Sequence, residues 1–399
     1  MLRLVAALSL ACAAVDSLLV TIRNDVSRLD TAGNIIDCHS GNIVAVNETF
    51  FWYGERYDNV SGIGPSPPLQ RPHLVVYTSP DLQAWTYRGE IFSTWPSAPW
   101  GTFFTPWAVY DTATQTFVLW FNAYENGCCL GNWGVATSAD GLAFSVLSMN
   151  VSGKYGEVDC NAVLIDDDGT GYLLYTSEAQ DHRHSIEVLS PNLTTTAGEN
   201  LGLFGERYME GGILWKRAGR YFASFGSCCC FCRNGSGVVV YSAPSIRGPW
   251  TRQPLDVNCA RRDAGDVCGG YGDRSGDPIT VNAQGIGLSL IPLADGSVAQ
   301  LWHGERWLSA PDNNPSCPDE CQPQTGKCAD APGYVKGHGS AYWIPLAYGS
   351  DGSVQQFAPF VSEFTLDIAQ GFGTAHLPQR GGGAAGSGAP AAPLLPPTV

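Results

Sequence analysis

The sequence predicts an all-β fold, a five-bladed β-propeller, on three observations. One unit recurs five times: an apolar strand, a tight turn, an aromatic strand, then a second hairpin. The units begin NIVAVNETFFWYGE (from Asn42), WAVYDTATQTFVLWFNA (from Trp107), NAVLIDDDGTGYLLYTS (from Asn161), GGILWKRAGRYFASFGS (from Gly211) and GIGLSLIPLADGSVAQLWHGE (from Gly285). Self-similarity at tens of residues, with several strands per unit, marks a propeller rather than a sandwich. Helical periodicity is never sustained beyond a turn or two, and short β-branched and aromatic runs alternate with Gly, Pro, Asn and Asp clusters. Finally, the unit starts lie roughly 50 to 75 residues apart, more than a minimal four-stranded blade needs, so several blades carry loops.

Residues 1–14 have a basic start (Arg3), an apolar run and small residues at Ala11 and Ala13. They read as a secretory signal peptide, too short to span a membrane. No later segment is long and apolar enough for a transmembrane helix, so the expectation is a secreted protein. The propeller is expected over 25–368. Its second hairpins read HLVVYTSPDLQAWTYRGEIF, WGVATSADGLAFSVL, SIEVLSPNLTTT and GVVVYSAPSIRGPWTRQ, with SAYWIPLAYGSDGSVQQF the most divergent. Two loops, 258–276 and 309–337, flank the fifth inner strand; they either wall the site or are inert stapled surface. The tail 379–399 is rich in Gly, Ala and Pro and is expected to be disordered.

Of fourteen cysteines, Cys12 lies in the leader, which leaves thirteen. A secretory leader makes disulfides the default, and the odd count leaves one thiol over. The CCCFC cluster (Cys228 to Cys232) lacks the paired CxxC spacing of a zinc site. Five N-x-S/T sequons, at Asn47, Asn59, Asn150, Asn192 and Asn234, fit a secreted glycoprotein. A net charge of −15 argues against nucleic acid, because phosphate binders use Lys and Arg. A neutral polysaccharide or glycoprotein glycan suits the chain better, although most of its twelve tryptophans and sixteen tyrosines are expected in the core.

In a radial fold, the residues just before each unit converge on one axis. Here they are His39 (with Asp37), Thr105, Asp159, Glu210 and Gln284. Cleaving a glycosidic bond needs a proton for the leaving oxygen and help for the attacking water, and a carboxyl pair is the usual solution. Glu210 and Asp159 stand at matched places one blade apart. Partial burial would raise the Glu210 pKa, and a neighbouring carboxylate would raise it further. His39 is either a structural hydrogen-bonding histidine or a functional one. Asp166, Asp167 and Asp168 before Gly169 form a hairpin turn, since the alternating ligands of a calcium loop are missing. No sequence motif calls for a metal or a cofactor, and no GxSxG, phosphate-loop or HExxH motif is present.

Through IIDCHSGNIVAVNETFFWYGE, SPDLQAWTYRGEIF, VDCNAVLIDDDGTGYLLYTSE, MEGGILWKRAGRYF, GPW, NAQG, GERW and SAYWIPLAYGSDG, the chain resembles glycoside hydrolase family 43 over about 33–367. It is most similar to the branch that contains exo-β-1,3-galactanases. The resemblance implies an inverting, exo-acting enzyme that removes β-linked galactose from β-1,3-galactan or arabinogalactan-type glycans. It further implies Glu210 as general acid, Asp159 as the carboxylate that tunes and orients it, and Gln284 as the group that positions water. Most of the family has an aspartate base where this chain has His39. Asp37, on the same face two residues earlier if the segment is extended, is the rival base. Glu55 matches a sugar-contacting glutamate, and Trp302, Arg306 and Trp307 fall where the site wall is expected. Where the branch carries Glu-Arg-Pro before the second blade, this chain has Phe104, Thr105 and Pro106. It also has Val158 in place of an arginine, and Gly211 and Gly212 in place of Ala-Pro. These departures leave open a glycan-binding propeller without catalysis, or an enzyme acting on arabinan or xylan.

Overall fold

The computed structural model describes residues 17–58, 73–94, 100–125, 131–227, 235–260, 279–307, 309–312 and 335–379. The expected leader lies outside them, as does the expected tail beyond its first residue. Five antiparallel blades form the expected propeller. Blade 1 comprises β2 (Ile43–Val46), β3 (Thr49–Arg56), β4 (His73–Ser79) and β5 (Thr86–Glu90). Blade 2 comprises β6 (Trp100–Asp111), β7 (Thr116–Glu125), β8 (Gly131–Ser138) and β9 (Ser145–Val151). Blade 3 is β10 (Val158–Ile165), β11 (Gly171–Ser177), β12 (Arg183–Leu189) and β13 (Thr196–Phe204). Blade 4 is β14 (Met209–Arg217), β15 (Arg220–Ser227), β16 (Val239–Ala243) and β17 (Thr251–Arg252). Blade 5 has three strands, β18 (Gln284–Pro292), β19 (Val298–Arg306) and β20 (Ser340–Pro345). The first strands touch in the order β2, β6, β10, β14, β18 and back to β2, which closes a ring.

The hairpins form where the sequence supplies residues able to turn left-handed. Asn47 and Glu48, Gln115, Gly169, Ala218 and Gly219, and Gly296 all have positive φ between the first two strands of their blades. A second turn recurs between third and fourth strands, where a serine and an acid or amide two residues on lock together: Ser79 with Asp81, Ser138 with Asp140, Ser190 with Asn192. The aromatic strands fill the space between blades. Trp120 meets Trp133 at 5.9 Å and Trp133 meets Tyr175 at 5.0 Å, edge to face, carrying the core from blade 2 into blade 3. Trp52 meets Trp343 at 4.8 Å between blades 1 and 5.

The fifth blade departs from its expected second hairpin. Where that hairpin is expected, after β20, the chain forms an isolated bridge from Tyr348 to Val354 instead of a fourth blade strand. Pro345 removes a backbone donor where the ladder would continue. Tyr348 instead accepts the indole N–H of Trp215 in blade 4 at 2.9 Å. The ends of the domain pair with each other: β1 (Ser17–Arg23) runs antiparallel to β21 (Glu363–Ala369). The ordered ring therefore begins ahead of the expected boundary at 25. Just after β1, Asn24 donates to the Trp343 carbonyl at 2.9 Å and accepts its N–H at 3.0 Å, clamping the N-terminal segment onto blade 5.

Candidate active site

The axial residues do not precede the inner strands as expected; most lie within them, at a break in register. The shifts fall between Phe104 and Trp107 in β6, Asp159 and Asn161 in β10, Glu210 and Ile213 in β14, and Gly285 and Gly287 in β18. A bulge sets extra residues against one partner and re-aims the adjacent side chain. The left-handed residues are Thr105 (φ 47°), Cys160 (φ 42°) and Gly211 (φ 70°), with Ser40 (φ 54°) in the matching place before β2. Such conformations cost free energy in any residue but glycine, and they gather at functional sites. At Gly211 a Cβ would fall 2.3 Å from the Gly285 carbonyl oxygen of the next blade. Gly211→Ala is therefore expected to cost about 1–3 kcal/mol in stability and to displace Glu210. Thermal denaturation and turnover check the two effects separately.

One side of the site is a buried carboxyl cluster. Asp159 accepts the Tyr124 hydroxyl at 2.7 Å and the Cys160 N–H at 2.8 Å on one oxygen. Its other oxygen faces the Cys160 thiol at 3.3 Å. Burial raises its pKa, and the Glu210 carboxylate raises it further. Glu178, on the 3-10 turn after β11, is pushed up to about 8 by burial and by Asp159 and Glu210. His182 stands with Nδ1 3.2 Å from a Glu210 oxygen, a contact that raises the imidazole pKa. Glu178→Gln removes the negative charge that Glu178 gains near Glu210 as pH rises through about 8. It is expected to move the alkaline limb of the kcat/KM profile to lower pH, read from pH–rate curves.

The other side joins blades 1 and 5. His39 is 1% exposed. Its Nδ1 meets Glu305 at 2.9 Å, and its Nε2 meets Asp37 at 3.3 Å and the Gly337 carbonyl at 3.2 Å. These partners all accept hydrogen bonds, so both ring nitrogens carry protons. Burial opposes that charge, but Glu305 and Asp37 outweigh it and take the pKa up to about 10. Asp37 also accepts the N–H groups of Tyr57 (2.9 Å) and Asp58 (2.7 Å). The Lys336 ammonium lies 3.7 Å from the Tyr57 ring centroid and 5.4 Å from that of Trp307. Glu55 receives the Tyr57 hydroxyl on one oxygen and the Thr105 N–H at 2.5 Å on the other. Burial raises Glu55; those hydrogen bonds, Lys336 and His39 pull it back, and it settles at about 7. The Trp307 indole donates to Gln284 Oε1 at 2.8 Å. Because an indole N–H can only donate, it fixes which way the amide faces.

The expected residues divide accordingly. Asp159 and Glu210 come together. Gln284, Trp307, His39, Asp37 and Glu55 line the clasp between blades 1 and 5, where His39 and Trp307 are buried scaffold rather than an open sugar-binding surface. Trp302 and Arg306 are elsewhere. Trp302 is 1% exposed, packs at 4.8 Å on Phe357, and fills space left by Gly285 and Gly304. Arg306 reaches the Asn24 carbonyl and lies over Phe360. Alternation along β19 explains this: 302 and 306 share one face, while 303 and 305 share the other. Glu305 is the residue the sequence reading lacks. Its signal is the repeat itself, since FWYGE and LWHGE end the second strands of blades 1 and 5 alike.

Cys38 and Cys160 are buried thiols outside any disulfide, whereas Cys259 is disulfide-bonded. Ten other cysteines expected to pair lie outside the described residues. The Asp166 turn is tied by Lys216 and Tyr221. Among the described residues, no group of His, Cys, Asp and Glu is arranged to hold a metal. Most of the loop 309–337 is outside the described residues, but its last residues, Lys336 and Gly337, close on Tyr57 and His39.

Solved proteins share this fold. An exo-β-1,3-galactanase from Clostridium thermocellum is similar at 21% identity and a TM-score of 0.65, over 88% of this chain and 68% of that one. An exo-β-1,3-galactanase from Phanerochaete chrysosporium, solved with galactose, is similar at 20% identity and 0.63, over 88% and 69%. A family 43 β-1,3-galactosidase solved with galactodeoxynojirimycin is similar at 17% and 0.63, over 86% of this chain and all of its own. No curated protein matches the chain. The sequence profile described as glycosyl hydrolases family 43 matches residues 35–266, more than half of the chain. The chain belongs to glycosyl hydrolase family 43.

Proposed function

We propose that this glycoside hydrolase is an inverting, exo-acting enzyme that releases β-linked galactose from a β-1,3-galactan or arabinogalactan-type glycan. The observation that carries the reading is the pair of buried carboxyls, Glu210 and Asp159, close enough across adjacent blades for the Glu210 charge to raise the Asp159 pKa. Glu210 gives its proton to the leaving oxygen as the glycosidic C–O bond breaks. Water adds to the opposite face of the oxocarbenium-like sugar and then loses a proton to solvent. Gln284, held by Trp307, orients that water. Asp37 is the weaker rival, because its oxygens already serve Tyr57, Asp58 and His39 and a Cβ at Gly337 would fall 2.3 Å from one of them. The galactanase neighbours support galactose as the sugar. Secretion and glycosylation belong to the same proposal; Asn47, Asn150 and Asn192 are exposed.

Phe104 favours a second reading in which the sugar differs, such as arabinan or xylan. It stands where the galactanase branch carries a sugar-contacting glutamate, and the N–H of the next residue, Thr105, occupies Glu55. The test is product release from β-1,3-galacto-oligosaccharides, arabinan and xylan, with the anomer of the first product read by NMR. Release of α-galactose alone supports the proposal. Arabinose or xylose moves the substrate, and a β-anomer overturns inversion.

A further inference from the structure

Glu210 protonates the oxygen of the leaving group, so the sugar left behind must sit outward of that carboxyl. Two side chains grouped beside Glu210 are more exposed than it is, His182 and Tyr208. His182 has Nδ1 3.2 Å from Glu210, and its ring is 6.4 Å from that of Tyr208, tilted by 38°. Tyr208 is 44% exposed, one of few large exposed apolar side chains among the described residues. It lies two residues before Glu210, at the entry to β14. Its backbone is left-handed (φ 59°), as are Asp181 (φ 54°) and His182 (φ 56°) opposite. The two segments are tied by Tyr208 N–H to the Asp181 carbonyl at 2.8 Å and Met209 N–H to the His182 carbonyl at 3.4 Å. Three non-glycine residues held in this conformation keep a solvent-facing aromatic ring fixed beside the acid, and such strain persists only where the surroundings impose it.

We propose that Tyr208, with His182, forms the acceptor-side subsite, on which the uncharged pyranose next to the scissile bond stacks. A tyrosine ring offers that sugar a flat apolar face for its C–H groups, with a hydroxyl at the wet edge. His182 closes the gap between the ring and Glu210 and offers a polar edge to the sugar hydroxyls. The inference rests on the galactosidase reading above.

The test compares β-1,3-galactotriose with β-galactosyl fluoride, whose leaving group places no sugar in the subsite. Tyr208→Ala is expected to shift the ratio of the two kcat/KM values about tenfold toward the fluoride. Tyr208→Phe, which keeps the ring, is expected to leave the ratio near the native one. Equal losses on both substrates would mean a structural role and overturn the subsite, as would an unchanged ratio in Tyr208→Ala. Calorimetric binding of galactotriose to the Glu210→Gln protein, with and without Tyr208→Ala, separates the two readings. If the native protein cleaves neither substrate but Tyr208→Ala weakens binding, hydrolysis is overturned and the subsite stands. If there is neither turnover nor Tyr208-dependent binding, both are overturned.

Discussion

Glu210→Gln is expected to lower kcat on a galacto-oligosaccharide by about a hundredfold or more, the usual worth of a positioned general acid. The amide keeps the shape of the carboxyl but has no acidic proton to give. Its thermal midpoint is expected to stay near the native value, because the contact it changes, with partly exposed His182, is a weak contributor to stability. The loss is expected to shrink on galactosyl fluoride, since fluoride leaves without a proton. Steady-state kinetics on both substrates give the comparison. Undiminished turnover of the oligosaccharide would remove Glu210 as the acid.

Glu305→Ala is expected to destabilise the fold by about 3–5 kcal/mol, the cost of stripping one partner from a buried ion pair. It removes the acceptor for His39 Nδ1 and for the Ser40 N–H at 3.1 Å, leaving a buried imidazolium half-paired between blades 1 and 5. It also strips a favourable charge from Arg28, which burial already holds down to about 9. Glu305→Gln keeps hydrogen-bonding capacity and loses only the charge, so its deficit is expected to be smaller. The folded pKa of His39, about 10, lies above the ordinary 6.5. Its contribution is therefore complete below about pH 6.5 and fades as pH rises through about 10. Denaturant melts at several pH values are expected to show that decline in the native protein and a shallower one in Glu305→Gln. A native-like midpoint for Glu305→Ala would mean that the pair is not the clasp.

The ring and half of the site can be read from the sequence because both follow from repetition. Once five units are aligned, Asp159, Glu210 and Gln284 fall in step without any knowledge of their contacts. The bulges that place these residues are harder to see. Cys160 and Thr105 look like ordinary strand residues, and only the register reveals their left-handed backbone. Trp302 and Arg306 mislead because WHGER reads as one motif, whereas a strand distributes it to two faces. The state of His39 is hidden for a different reason: its partner Glu305 lies 266 residues away. With Asp37 as the one charged neighbour in the local sequence, the histidine carries no sign that it holds two protons. Lys336 enters from a long loop whose path no periodicity marks.

Each blade is one continuous stretch of chain, so during synthesis the blades can form in order as they emerge. The site cannot. Asp159 and Glu210 come from the middle of the chain, while Gln284, Glu305, Trp307 and Lys336 all come from blade 5 and the loop before its last strand. The terminal clamp of Asn24 on Trp343 joins residues 319 apart, so it waits for the same segment. A nascent chain that has completed four blades thus carries its acid carboxyls beside an open seam, with His39 still lacking Glu305. Chemistry and ring closure become available together, at the last blade.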